Sequence, residues 1–433
     1  MEPLTASIIC VILMIALLIL GLPIPYALGF SSMLIGLVTF GPAALAKAGW
    51  ATFSQLYSLI WTPLPLFVLM GSILSQTRIG EDLYHAARNW LSRLPGGLII
   101  ASVWGEALVS AALGASTATL LVAGKVAVPE FERYKYNKPF SVGALLAGGA
   151  LGPLIPPSAV FVIFSILSNA PLGRLLTAGI IPGILLTLML TMIPLIMCSR
   201  NRSIAPGVSG VSWKERFVSI KFIWPVILVF AALMGSIYFG IATPTEATGV
   251  ASVVLIIIAV AFFGLRFKGL FYAGIDASLT NAMLMFIFIG AGFFSYVVGS
   301  SALAEHLANL ANSVEVQPIL IVICIMVIIL VLGVFLDGVT IMMLTVPIFV
   351  PLIKSLGFDP IWFGVIFVVN TEIGLLTPPM AINFFLASST FKVPTGELMR
   401  GMIPFLICLV IFMAVLVAFP EIVLWLPSTM VTK

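Results

Sequence analysis

The chain has 433 residues, 61% of them hydrophobic and only 8% charged, with a formal net charge of +4. So little charge cannot cover a soluble domain of this length, and basic strips interleaved with aromatics, the mark of a nucleic-acid surface, are missing. Apolar runs recur from end to end, which makes this an all-α polytopic protein of a lipid bilayer rather than an anchored one.

The first run, about Ile8–Leu20, has no basic flank before it and no small-residue cleavage site, so it reads as a permanent span. Further spans are predicted near 4–22 (which contains that run), 24–41, 51–76, 139–165 and 180–198, then 222–242, 246–264, 272–297, 362–386 and 402–419. Two stretches, 97–128 and 318–350, are too long for one simple helix and carry a small or polar break near the middle, at Gly114–Thr117 and Gly333–Gly338. About 16 residues on each side of a break reach roughly 24 Å, short of the full membrane thickness, so both read as re-entrant hairpins. Segments 81–94 and 301–313 precede the hairpins as amphipathic surface helices. Ser199–Lys221, polar and basic, is the linker between two halves, 1–198 and 222–433. Cys10, Cys198, Cys324 and Cys408 sit in apolar runs without ligand spacing, and His85 and His306 fall in amphipathic or loop stretches.

With the N-terminus outside, ten crossings return the C-terminus to the same side. Sixteen of the 20 Lys and Arg then fall inside, leaving Lys47, Arg174, Lys354 and Lys433 outside. That asymmetry supports the orientation and makes the halves two inverted-topology repeats.

The halves also share a motif. Gly152–Phe164 (GPLIPPSAVFVIF) recurs 222 residues later as Gly374–Leu386 (GLLTPPMAINFFL), aligning Pro129 with Pro351 and Pro182 with Pro404. Pro156–Pro157 and Pro378–Pro379 cannot donate backbone hydrogen bonds and clash with the preceding turn, so each pair breaks a helix, 139–165 and 362–386. In lipid the freed carbonyls need partners, and a bound cation can serve. One copy alone is matched by an ordinary proline kink; two copies in register, each behind a hairpin, point to a site. Hydroxyls at Ser116, Thr117, Thr119 and Thr340 lie at the hairpin tips and can coordinate a hard cation or donate to a carboxylate. Of the acids within apolar sequence, Asp337 at the second tip leads, then Glu372 beside Asn370, then Glu106. Thr243-Pro244-Thr245-Glu246 is a capping box and structural. P-loop, HExxH, DDxxD and nucleophile-elbow signatures are absent, which argues against an enzyme and against ATP-driven transport by this chain.

These strings resemble the large membrane (M) subunit of tripartite ATP-independent periplasmic (TRAP) transporters. The likeness runs through LGLPIPYALGF (Leu20–Phe30), PLPLFVLMGSIL (Pro63–Leu74), GPLIPPS (Gly152–Ser158), AGIIPG (Ala178–Gly183), GIATPTEA (Gly240–Ala247), GFDPIWFGV (Gly357–Val365) and IGLLTPP (Ile373–Pro379). The resemblance implies a multi-pass protein of the bacterial or archaeal inner membrane that imports an organic acid anion with Na+ and without ATP. It implies an elevator mechanism, in which a domain built from both hairpins and both broken helices slides against a scaffold. It implies two partners, a small four-helix membrane subunit and a periplasmic substrate-binding protein. It places one sodium on Gly333, Gly374, Thr377 and Met380 and its inverted mate on Ser116, Gly152, Ile155 and Ser158. Substrate would lie between the tips, near Thr117, Thr119, Pro156, Pro157, Asp337, Thr340, Glu372, Pro378 and Pro379. The first tip departs from the family pattern: Leu113-Gly114-Ala115-Ser116 and Thr119 stand where many relatives carry two more hydroxyls and an Asp. The alternative reading is a stand-alone elevator carrier of divalent anions or an ion antiporter. An intramembrane enzyme is a third class.

Overall fold

The computed structural model describes residues 2–57, 59–113, 116–207, 212–300, 306, 309, 317–378 and 381–431, without the side chains of 3, 51, 54, 55 and 111–113. The described residues form helices joined by turns and short loops. Of the predicted segment 301–313, all but positions 306 and 309 lie outside them, as do Gly114, Ala115, Pro379 and Met380.

Both predicted hairpins are present. The first pairs Gly97–Leu113 with Ser116–Arg133, the second Pro318–Phe335 with Gly338–Ser355. Their second arms start and stop 222 residues apart (116 and 338, 133 and 355), and Pro129 and Pro351 fall at matching places inside them. Both predicted breaks are present too. Lys138–Leu154 bends by 48° into Ala159–Ser168, and Pro360–Leu376 stops before Ile382–Phe391. Pro153, Pro156 and Pro157 prevent a continuous ladder of backbone bonds through the first break.

The hairpins and broken helices interlock across the halves. The first part of each broken helix packs on the hairpin before it, and the second part packs on the second arm of the other hairpin. Ala159–Ser168 lies on Gly338–Ser355, where Lys354 Nζ donates to the Ser168 carbonyl at 3.4 Å. Ile382–Phe391 lies on Ser116–Arg133, where a Cβ on Gly124 would come 2.2 Å from Phe391.

One predicted span divides. In place of a helix over 51–76 the chain forms Ala43–Leu56, a short 3-10 turn at Leu59–Trp61, and Pro63–Ser75. Pro63 and Pro65 occupy the first turn of the new helix, where their missing N–H groups cost nothing. The matching stretch of the second half contains no proline and is one 33-residue helix, Phe267–Gly299, packed along Ile24–Phe40 and both pieces of the divided span. Close approach there needs small residues: a Cβ on Gly290 would stand 2.6 Å from the Pro25 carbonyl, and one on Gly292 2.5 Å from Thr52 Oγ1.

Ten crossings plus two hairpins were expected. Among the described residues seven helices are long and apolar enough to cross a membrane, or nine if each bent pair is one span. The difference comes from broken and divided elements, whose pieces fall short of a full span, and from the second hairpin's arms, which reach that length singly.

The linker is only partly extended. Trp213–Ile220 is a helix with a capping box: Ser212 Oγ accepts from Glu215 N at 3.2 Å, and Ser212 N donates to the Glu215 carboxyl at 2.8 Å. The Ser212 backbone N–H, then its hydroxyl, hold that carboxyl below its ordinary range. The helix leans on Ile79–Leu91, the predicted surface helix, with Trp90 Nε1 donating to the Arg216 carbonyl at 3.1 Å. The Thr243–Glu246 capping box is also present.

Candidate functional site

The second hairpin meets the second broken helix glycine to glycine. A Cβ on Gly374 would lie 2.7 Å from Gly333 Cα and 2.8 Å from its carbonyl carbon, and one on Gly333 3.1 Å from Gly374 Cα. Only residues without side chains let two helix backbones approach so closely. Just beyond, Thr377 ends the helix: its N–H bonds the Gly374 carbonyl at 3.0 Å, and its hydroxyl donates to the Ile373 carbonyl at 2.6 Å. That hydroxyl keeps lone pairs for a cation. The structure thus brings Gly333, Gly374 and Thr377 together, while Met380, the fourth residue of the implied set, and Pro379 lie outside the described residues. Pro378 is half-buried at the break.

Asp337 proves to be a helix cap. Its carboxylate accepts from Val339 N (3.0 Å), Thr340 N (3.2 Å) and the Thr340 hydroxyl, closing the N-terminus of Gly338–Ser355. Sequence reasoning ranked it first among the membrane acids because it saw the charge and not the three donors.

The first tip is arranged differently. The Ser116 carbonyl lies against Gly149 of the first broken helix, 3.4 Å from where a Cβ would stand. Its hydroxyl instead meets the second broken helix, accepting from Asn383 Nδ2 at 3.2 Å, and Thr117 Oγ1 donates to Asn383 Oδ1 at 2.8 Å. The Ser116 hydroxyl also faces the carboxyl of buried Glu372, whose Oε2 has no partner among the described residues. Thr119 and Thr340 are buried nearby in sequence on the two second arms. The other residues of the implied first cation site lie along the first break. Ser158 is a helix cap, its hydroxyl donating to the Pro153 carbonyl (2.6 Å) and accepting from Phe161 N (3.3 Å). The Ile155 side chain lies against Gly183, Gly152 is buried in the short helix Leu151–Leu154, and Pro156 and Pro157 form the turn that follows.

Asn383 was missed. A lone amide in the first turn of an apolar helix restart was the available signal, since such a group in lipid needs a partner.

The molecule is thus a helical membrane protein with two hairpins clasping two broken helices, an arrangement that suits a carrier. Residues 11–422 match the family described as "Tripartite ATP-independent periplasmic transporter, DctM component". The chain is 31% identical over 406 residues to the C4-dicarboxylate TRAP transporter large permease protein DctM of Pseudomonas aeruginosa, covering 93% of this chain and 94% of that one. It is 28% identical to the sialic acid TRAP transporter large permease protein SiaM of Vibrio cholerae, covering 96% of each. It is 27% identical to the ectoine TRAP transporter large permease protein TeaC of Halomonas elongata, covering 96% and 98%. A solved structure, the YdaH transporter of Alcanivorax borkumensis, shares the fold with a TM-score of 0.68 at 14% identity, over 95% of this chain and 98% of that one. This chain belongs to the DctM family of TRAP transporter large permeases.

Proposed function

We propose that this permease imports an organic acid anion with sodium, by an elevator movement of the paired hairpins and broken helices, taking substrate from a periplasmic binding protein. The observation that carries the reading is the Gly333–Gly374 junction. It sets a hairpin against a helix break whose carbonyls need a cation in place of lost backbone donors. The recurrence of hairpin and break 222 residues apart supports two inverted repeats, and their interlocking across the halves supports movement as one body. Substrate lies beside the Ser116–Thr117–Asn383–Glu372 group, between the first tip and the second break. The substrate class rests on relatives named for C4-dicarboxylate and sialic acid transport. A small membrane subunit completes the complex. One relative, the isethionate TRAP transporter permease protein DctMQ, is longer, and the match spans 61% of it, as a fused subunit would require. The surroundings are a bacterial inner membrane.

The test is uptake of labelled C4-dicarboxylates and related acids into vesicles holding the permease and its small subunit. Uptake is expected only with a sodium gradient and the cognate binding protein. Uptake that ignores the sodium gradient would sink the coupling, and uptake without binding protein would favour a stand-alone carrier.

A further inference from the structure

Glu106 has no place in the site just described. It lies on the arm Gly97–Leu113 and is wholly buried, at 0% exposure. Neither carboxyl oxygen has a hydrogen-bond partner among the described residues, and Ser110 Oγ, one turn further along the arm, also has none. Gly148 of the first broken helix faces it: a Cβ there would stand 1.9 Å from Oε2. Glycine at 148 therefore leaves room for the carboxyl and brings it against the neighbouring helix.

An ionised carboxylate in such surroundings is strongly disfavoured unless something neutralises it. Nothing among the described residues does. The helices packed on this arm are Ile79–Leu91, Ser116–Arg133, Lys138–Gly149, Leu151–Leu154, Ile180–Arg200, Pro63–Ser75 and Trp224–Tyr238. Their charged and titratable groups are Glu81, Asp82, Tyr84, His85 and Arg88 on the surface helix, and Lys125, Glu130, Glu132, Arg133 and Lys138 on the second arm and broken helix. Cys198, Arg200 and Tyr238 complete the set. Arg88 pairs with Glu130 and Lys138 with Glu132. None of them hydrogen-bonds or ion-pairs with the Glu106 carboxyl. No cluster of His, Cys, Asp and Glu suited to a divalent metal occurs among the described residues. Nor does the fold itself require an acid here. The matching residue of the second copy, Ile328, is apolar and 48% exposed.

We propose that Glu106 binds a small monovalent cation, a proton or a sodium ion, that neutralises its carboxyl between the first hairpin and the first broken helix. The site is additional to the second glycine junction and to the Asn383 bridge, and it exists in one copy only.

Infrared spectra of the purified full chain in sodium and in choline buffer, beside E106Q, test it. If a proton is bound, an un-ionised carboxyl band appears in both buffers and is lost in E106Q. If sodium is bound, carboxylate bands shift when choline replaces sodium, and that shift is lost in E106Q. The variant G148A keeps the acid but displaces it and shifts the same bands, which serves if E106Q does not fold. Spectra that E106Q or G148A leaves unchanged in every buffer overturn the proposal, as does an ionised Glu106 indifferent to sodium.

Discussion

The two hairpin–break units share a plan and differ in what joins hairpin to break. In the second, backbone meets backbone at Gly333 and Gly374, and the tip acid, Asp337, is spent on capping its own helix. In the first, side chains make the join: Glu106 reaches Gly148, and the tip hydroxyls of Ser116 and Thr117 cross to Asn383 in the other half. The same exchange shows about two turns before the breaks. Asn370, aligned with Gly148, donates from the second broken helix to the Met326 carbonyl at 2.7 Å, whereas in the first copy the polar group sits on the hairpin and the broken helix supplies the glycine. Duplicated backbone geometry thus tolerates different chemistry, because helix packing fixes distances between axes and leaves each contact to local side chains.

The largest expected effect of breaking this contrast is at Gly374. Gly374→Leu forces a side chain into the Gly333 backbone, which cannot yield, so uptake is abolished; near-normal sodium-dependent uptake would refute the junction's role. Gly148→Ala meets only the end of a flexible carboxyl, so about 1–3 kcal/mol of overpacking is its upper range, read as a modest fall in thermal midpoint beside a large one for Gly374→Ala.

Asn383→Leu comes next. It strands the Ser116 and Thr117 hydroxyls, at about 1–3 kcal/mol, and loosens the contact between the halves. Thermal unfolding of the purified protein reads that loss. Unchanged stability with unchanged uptake would remove Asn383 from the site.

Asp337→Asn preserves a capping side chain and should keep stability within about 1 kcal/mol, whereas Asp337→Ala costs about 0.5–2 kcal/mol. Loss of uptake in Asp337→Asn with stability intact would show that the charge, not the cap, matters there.

The smallest effect belongs to the linker. The Glu215 carboxyl is held below its ordinary range, so its capping bond is intact above the unfolded value and is lost as pH falls through the lower folded one. Acidification should therefore raise amide exchange in 213–220, and Ser212→Ala should do so already at neutral pH.

The hairpins, the breaks and the linker were legible in the sequence because proline pairs, glycines and long apolar runs act through the chain's own backbone. The division of 51–76 was legible too, in Pro63 and Pro65, but the apolar run around them masked it. The site was legible in part. Gly333 and Gly374 meet at the second break, Asp337 carries a local cap that its charge masked, and Asn383 was overlooked because its partners lie in the other half.

Taken alone, the sequence determined that this is a helical membrane protein with a doubled hairpin and break, because hydrophobic length and proline chemistry are local properties. Only the tertiary structure decided which polar groups meet. Ser116 lies 267 positions from Asn383, and Glu106 turned out to be sealed against Gly148, contacts fixed by how helices from both halves pack.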